Sequence, residues 1–225
     1  MGLLSRVLKV SAAGTVASVG IFFGATRNDK FEPMDMTDPI FSSPLFKKLN
    51  PDNNPPFHDL CVRRVPLEKI NPSLLEKKGK LVEAFCAGIW GGMGYIPQRA
   101  ILANKYKGPE TADQLWERRE LLSNRYDVGT RITDHFEVVE KTDEKILVRC
   151  GASPREQGVR PSDGLFEIGA VINEEKEEAE FTLKSCFFQG LGKAEGEPFG
   201  PVMVWLHQQY TKLWMETAIL KNCVQ

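Results

Sequence analysis

The run GPVMVWLHQQYTKLWMETAIL, Gly200 to Leu220, decides the fold, because it reads as one long amphipathic helix that must close over something. Val202, Trp205, Leu206, Gln209, Tyr210, Leu213, Trp214, Thr217 and Leu220 recur at three- and four-residue steps, gathering indoles and a phenol on one broad, largely apolar face. Such a face requires cover. Pro198 and Pro201 flank its start, where the first amides lack intrahelical partners in any case, and Lys221 suits the negative pole at its end.

The residues before it offer that cover as strands. Gly129 to Lys141 alternates, with Ile132, Asp134, Phe136 and Val138 on one face and Thr133, His135, Glu137 and Val139 on the other. Lys145 to Cys150 repeats the habit through Ile146 and Val148. Asp163 to Asn173 adds Phe166, Ile168, Ala170 and Ile172, and Glu177 to Gln189 adds Phe181, Leu183, Ser185 and Phe187. Asn173 to Lys176, between these last two, is an acidic hairpin turn and a solvated tip. Further back, His58 to Val65 reads as a strand that Pro66 stops. From Ser73 to about Tyr106 the apolar spacing is helical, but Gly88, Gly91, Gly92 and Gly94 interrupt it. A break or a close backbone approach is expected there, either as the wall of a pocket beside Trp90 and Tyr95 or as a simple bend. Thr111 to Gln114 has capping-box spacing and opens another helix that ends near Asn124.

Composition sets the outer limits. With 225 residues, 42% of them hydrophobic, the chain can build a real core, and a net charge of −1 gives no basic field for nucleic acid. Cys61, Cys86, Cys150, Cys186 and Cys223 are odd in number and include no Cys-x-x-Cys pair, which argues against a disulfide framework or structural zinc and for an intracellular compartment. Three segments are expected. Met1 to Arg27 places Arg6 and Lys9 before an uncharged stretch, Val10 to Thr26, as mitochondrial presequences and membrane anchors do. About seventeen residues at ~1.5 Å each give roughly 26 Å, just under a ~30 Å hydrocarbon core, so membrane contact through residues 1–27 is expected with marginal length for spanning. Asn28 to Phe57, with Pro33, Pro39, Pro44, Pro51, Pro55 and Pro56, reads as an extended connector with at most a turn of helix around Phe41 to Leu49. Residues 58–225 form the folded domain.

Several chemistries lack their motifs. Gly92-Met93-Gly94 runs on to Pro97 where a dinucleotide fingerprint needs glycine, there is no Gly-x-Ser-x-Gly elbow, and His58, His135 and His207 have no metal-binding spacing. No metal and no cofactor are expected. Among polar residues Asp134 stands out: on an apolar strand face its carboxyl would titrate high and move protons, with Arg149, Arg63 or Arg64 to hold an oxyanion, or it forms a buried ion pair with one of them. Alternation sends His135 to the opposite face. His207 and Tyr210, three apart on the closing helix, both look toward its ligand side as acid–base candidates. Trp90, Tyr95, Phe136, Phe166, Trp205 and Leu213 are candidate pocket walls.

A strand, a helical insertion, an antiparallel meander and a long aromatic C-terminal helix together resemble the helix-grip, START-like fold of polyketide cyclases and lipid-transfer domains. Thr133 to Val138, Val148 to Pro154, Ser162 to Glu167 and Gln209 to Glu216 are similar in wording to a fungal family of small proteins to which no catalytic assignment attaches. The resemblance covers roughly His58 to the end. It implies an α+β chain with a curved antiparallel sheet, inserted helices, and an apolar molecule held between sheet and C-terminal helix. The function expected is binding of a hydrophobic small molecule, with cofactor-free cyclisation or isomerisation of a polyketide- or terpenoid-like secondary metabolite. The alternatives are a lipid or quinone carrier at a mitochondrial or other intracellular membrane, and a scaffold with a filled core.

Overall fold

Alternation of apolar and polar residues produces seven strands: β1 (Lys30–Glu32), β2 (Phe57–Pro66), β3 (Arg131–Ile132), β4 (Phe136–Lys141), β5 (Lys145–Cys150), β6 (Asp163–Asn173) and β7 (Glu178–Phe188). In the computed structural model, which describes residues 20–225, they form one curved antiparallel sheet in the order β1-β2-β7-β6-β5-β4-β3. From residue 30 onward the α-helices are α1 (Pro39–Ser42), α2 (Pro44–Leu49), α3 (Lys80–Gly91), α4 (Ile96–Tyr106), α5 (Arg118–Ser123) and α6 (Pro201–Asn222). The long helix α6 is packed against the sheet side of the molecule, as the α+β reading requires.

One face of the sheet carries Cys61, Val65, Val138, Val148, Phe166, Ile168, Phe181 and Leu183, and these join α3 and α6 in the main core. Helix α3 lies on β5 and β6 and is the chief neighbour of α6, which touches β2 and β7 more sparingly. The glycines explain how two helices share one face. A Cβ on Gly88 would stand 2.7 Å from the Ala218 carbonyl oxygen, and one on Gly94 would stand 2.8 Å from Thr217 Oγ1. Both clashes involve α6, so the glycine-rich break between α3 and α4 is where a second helix makes close backbone approach.

Three expectations are corrected. Asn28 to Phe57 is no extended connector: Lys30–Glu32 pairs with Leu60–Val62 as an edge strand, and α1 and α2 cover the second face of the sheet. There Ile40, Phe41, Phe46 and Leu49 pack on Leu147, Leu165, Cys186 and Phe188. Each of these short helices starts with proline after a capping residue, Asp38 accepting from the Ile40 amide and Ser43 from the Phe46 amide. The prolines therefore start helices here. Second, Thr111 does not open the helix that ends at Ser123; it closes a 3-10 turn (Pro109–Thr111), and the helix starts at Arg118 with Glu120 reaching back to the Glu117 amide. Third, Gly129 to Lys141 is not one strand. Thr133 and Asp134 both take left-handed backbone at φ 51°, so the chain folds from β3 into β4 as a tight hairpin.

Most of the expected leader, residues 1–19, lies outside the described residues. Among the described residues no helix is long and apolar enough to cross a membrane.

Candidate functional site

Where α3 stops supporting α6, a cavity of about 260 Å3 opens between the first half of α6 and the sheet. Its floor is Phe136 on β4, Cys150 on β5, Phe166 on β6 and Phe187 on β7; its roof is His207, Tyr210, Thr211 and Trp214 on α6. Phe199 from the segment entering α6, Gln98 from α4, and Gly151 and Ser162 from the β5–β6 connection close the sides. The rings are mutually braced. Trp214 packs edge-on against Trp90, Tyr95 and Phe166 at centroid distances of 5.4, 5.5 and 5.7 Å.

Two histidines enter this space from opposite sides. His207 Nε2 lies 3.1 Å from Ser185 Oγ and 3.3 Å from an Asp59 carboxylate oxygen, while its ring meets Phe57 and Phe187 edge-on. Register brings these partners together, because Asp59 on β2 stands opposite Ser185 on β7, with Phe57 opposite Phe187 one step along the same face. A proton on Nε2 directed at Asp59 leaves Nδ1 as the basic nitrogen, a tautomer assigned from these partners. His135 comes from the β3–β4 hairpin. Burial, and then the Arg160 guanidinium, push its pKa below the usual histidine value, which favours the neutral imidazole. Cys150 is no nucleophile, since burial pushes its thiol far up.

The structure distributes the residues singled out in the sequence unevenly. His207, Tyr210, Phe136 and Phe166 all line the cavity. Trp90 and Tyr95 are fully buried behind it as backing for Trp214 and Phe136. Trp205 is 53% exposed and Leu213 half-buried away from the cavity, because the helix turns a different face inward than the one its longest apolar residues suggest. The buried positions in α6 are Thr211, Trp214, Met215, Glu216, Ala218 and Ile219.

Asp134 is a correction in position, and of the two roles expected for it the ion pair is the one present. It lies at the hairpin turn, buried, with Ser153 Oγ donating at 2.8 Å, Gln114 Nε2 at 3.1 Å and the Arg155 guanidinium at 3.1 and 3.2 Å. Burial raises its pKa, but these donors outweigh burial and hold the carboxyl below its ordinary value. It is an ion pair that fixes the turn, with Arg155 in place of the expected arginines. Arg149 is likewise engaged, bidentate to Asp163 at 2.9 and 2.5 Å on the face away from the cavity. His135, set aside by strict alternation, occupies the cavity wall because the two left-handed residues before it break the parity. Asp59 and Ser185 were visible only as alternating strand residues; the register that joins them to His207 has no local signature.

A larger cleft of about 630 Å3 lies at the other end of the sheet, lined by Glu76, Lys77, Lys78, Asp143, Glu144 and Glu174. Leu74, Leu75, Leu81, Ala170 and Ile172 also line it, but it holds no aromatic ring and no imidazole, so we place the functional site at the smaller cavity. Among the described residues no group of three or more His, Cys, Asp and Glu side chains is placed to hold a metal ion.

Fold and site together define an α+β protein with an antiparallel sheet, a long C-terminal helix and an aromatic cavity between them. Comparison with known proteins adds no relative: no family model, no curated protein and no solved structure matches the chain.

Proposed function

We propose that the chain is a helix-grip protein that binds a compact, apolar, ring-containing small molecule between α6 and the sheet and moves a proton on it, promoting cyclisation or isomerisation without a cofactor. The observation that carries this reading is the pairing of aromatic walls with two imidazoles around one cavity of about 260 Å3. That volume sits just below the ~300–1,000 Å3 typical of small-molecule sites, which suits a fused-ring metabolite better than a lipid with long acyl chains. Aromatic walls supply affinity and hold one reactive conformer. His207, oriented by Asp59 and Ser185, accepts a proton at Nδ1 from an acidic carbon–hydrogen bond. His135, neutral and opposite, is placed to serve as a second proton carrier.

The test is native mass spectrometry followed by organic extraction on the full chain purified from its own host. A stoichiometric apolar molecule is expected, and incubating the complex in heavy water should place deuterium at its acidic carbon. His207→Gln should keep the molecule and slow that exchange by about 100-fold, the lower end of what a positioned general base contributes. Exchange at an unaltered rate in His207→Gln would remove the catalytic part and leave a binding protein. An empty protein that binds no ring compound offered to it would remove the whole reading.

A further inference from the structure

Three polar side chains line one end of the cavity with hydrogen-bonding capacity to spare: Gln98 from α4, His135 from the β3–β4 hairpin and Ser162 from the β5–β6 connection. Among the described residues none of the three side chains has a hydrogen-bond partner. Gln98 and His135 are half-buried, yet their polar atoms stay open to water, and Ser162 is exposed. The fold gathers them. Continuing the β4–β5 register past the Glu137–Arg149 pair sets His135 beside Gly151, and a Cβ on Gly151 would stand 2.8 Å from the Ser162 carbonyl oxygen. Tyr95, one helical turn before Gln98, hydrogen-bonds Thr133, which lies just before Asp134 and His135 in the hairpin. Resting on the cavity reading above, we infer that the ligand carries a hydroxyl on its ring system and that Gln98, His135 and Ser162 seat it.

The chemistry of the lining selects a hydroxyl. Among the described residues that line the cavity none is Asp, Glu, Lys or Arg, so a carboxylate or an ammonium group would lose hydration there without gaining a counter-charge. An amide, a serine hydroxyl and a neutral imidazole each donate and accept, which matches a ligand group that does both. A ketone only accepts, and a hydrocarbon does neither. Burial, and then Arg160, favour the neutral imidazole at His135, which leaves one ring nitrogen to accept from the ligand O–H. The seat also sets orientation. In the sheet β5 and β6 separate β4 from β7, so a ring system held by its hydroxyl beside His135 extends across Phe166 toward Phe187 and His207. The position of the hydroxyl then decides which carbon meets the His207 base.

The experiment uses probes on one ring system, 2-naphthol, 2-methylnaphthalene and 2-naphthoate, titrated into the full chain and followed by tryptophan fluorescence. 2-Naphthol is expected to bind ~10-fold more tightly than 2-methylnaphthalene, because a methyl group displaces water from the seat without replacing its hydrogen bonds. It should also bind more tightly than 2-naphthoate, whose charge finds no partner. Gln98→Leu and Ser162→Ala should each lower the ratio of naphthol to methylnaphthalene affinity by about threefold, and together they should erase the preference. Taking the ratio cancels any general damage to the cavity. A ratio near one in the unaltered chain, a preference that survives the double substitution, or tighter binding of 2-naphthoate would overturn the hydroxyl assignment while the cavity reading stands. If none of the probes binds, the cavity reading fails and the assignment with it.

Discussion

The first and last turns of α6 are built from similar residues and meet opposite fates. Val202, Met203, Trp205 and Leu206 stand largely in solvent beside the cavity mouth, while Trp214, Met215, Ala218 and Ile219 are buried against α3. Neither hydrophobicity nor helix propensity separates the two halves; the partner does. Glycines on and just after α3 let its backbone come within contact of Ala218 and Thr217, and that close approach holds the C-terminal half. The N-terminal half runs past the end of α3, and the space left beneath it is the cavity. One end of the helix therefore secures the fold and the other roofs the site, so substitutions at the two ends should separate stability from binding.

The sharpest way to break this division is Gly88→Val. The new Cβ would meet the Ala218 carbonyl oxygen at 2.7 Å and Cα at 2.9 Å, and backbone cannot move aside as a side-chain tip can. A loss of about 3 kcal/mol in the urea unfolding free energy is expected, the upper part of the usual range for overpacking. A loss below ~1 kcal/mol would mean that α3 and α6 are not locked at this point.

The buried half also contains a charge cluster that should make stability depend on pH. Asp29, fully buried where the chain enters β1, faces Glu216 on α6, and the Arg63 guanidinium stands 3.8 Å from the first and 3.7 Å from the second. Among the described residues no N–H or hydroxyl donates to either Asp29 oxygen, and the Asp29 carboxyl shares a proton with Glu216. Burial, and next the Glu216 carboxylate, push Asp29 up to about 7 against the pull of Arg63 and Lys212. Burial likewise raises Glu216, which Arg63 opposes. Because the folded chain holds the Asp29 proton to higher pH than the unfolded chain, the stability linked to that proton is fully present below about pH 4 and is lost as pH rises through 7. Asp29→Asn keeps the shape and abolishes the charge. It should stabilise the protein by about 2 kcal/mol at pH 8, half of the ~4 that the full shift would give, with a smaller gain at pH 5. Urea midpoints at the two pH values check this, and a gain independent of pH would sink it.

How much of this was legible in the sequence follows from which interactions are local. The strands were, because alternation is written residue by residue: Lys145–Cys150 and Asp163–Asn173 have the bounds their patterns imply. The break at Gly92 was legible too, although only the fold shows that the glycines answer to α6. Long-range partners were not. Pro39 and Pro44 look the same in an unstructured connector and at helix starts, and the second face of the sheet, with Leu165 and Phe188 needing cover, decides for the helices. The inward face of α6 was misread for a related reason: with apolar residues around most of its circumference, the buried side is chosen by Gly88 and Gly94. At the site, Thr133 and Asp134 shift the face parity by adopting left-handed backbone, so His135 replaced Asp134 in the wall. Aspartate is among the residues that tolerate that conformation, a local cue, whereas the clamp of Gln114, Ser153 and Arg155 that holds it is assembled from distant loops.

The smallest expected effect tests the exposed half directly. Trp205 shares with Trp214 the largest side chain on the apolar face read from the sequence, yet it is 53% exposed and makes no part of the cavity wall. Trp205→Ala should therefore change the unfolding free energy by no more than ~0.5 kcal/mol, as surface substitutions do, and leave the affinity for 2-naphthol within about twofold. Trp214→Ala, nine residues along the same helix, removes an indole braced by three aromatic neighbours and should cost ~3–5 kcal/mol and abolish binding. Measured side by side, the two substitutions turn the contrast between the halves into a number. If Trp205→Ala proves as damaging as Trp214→Ala, the helix is seated about its axis differently from the arrangement described, with the face bearing Val202, Trp205 and Leu206 turned inward.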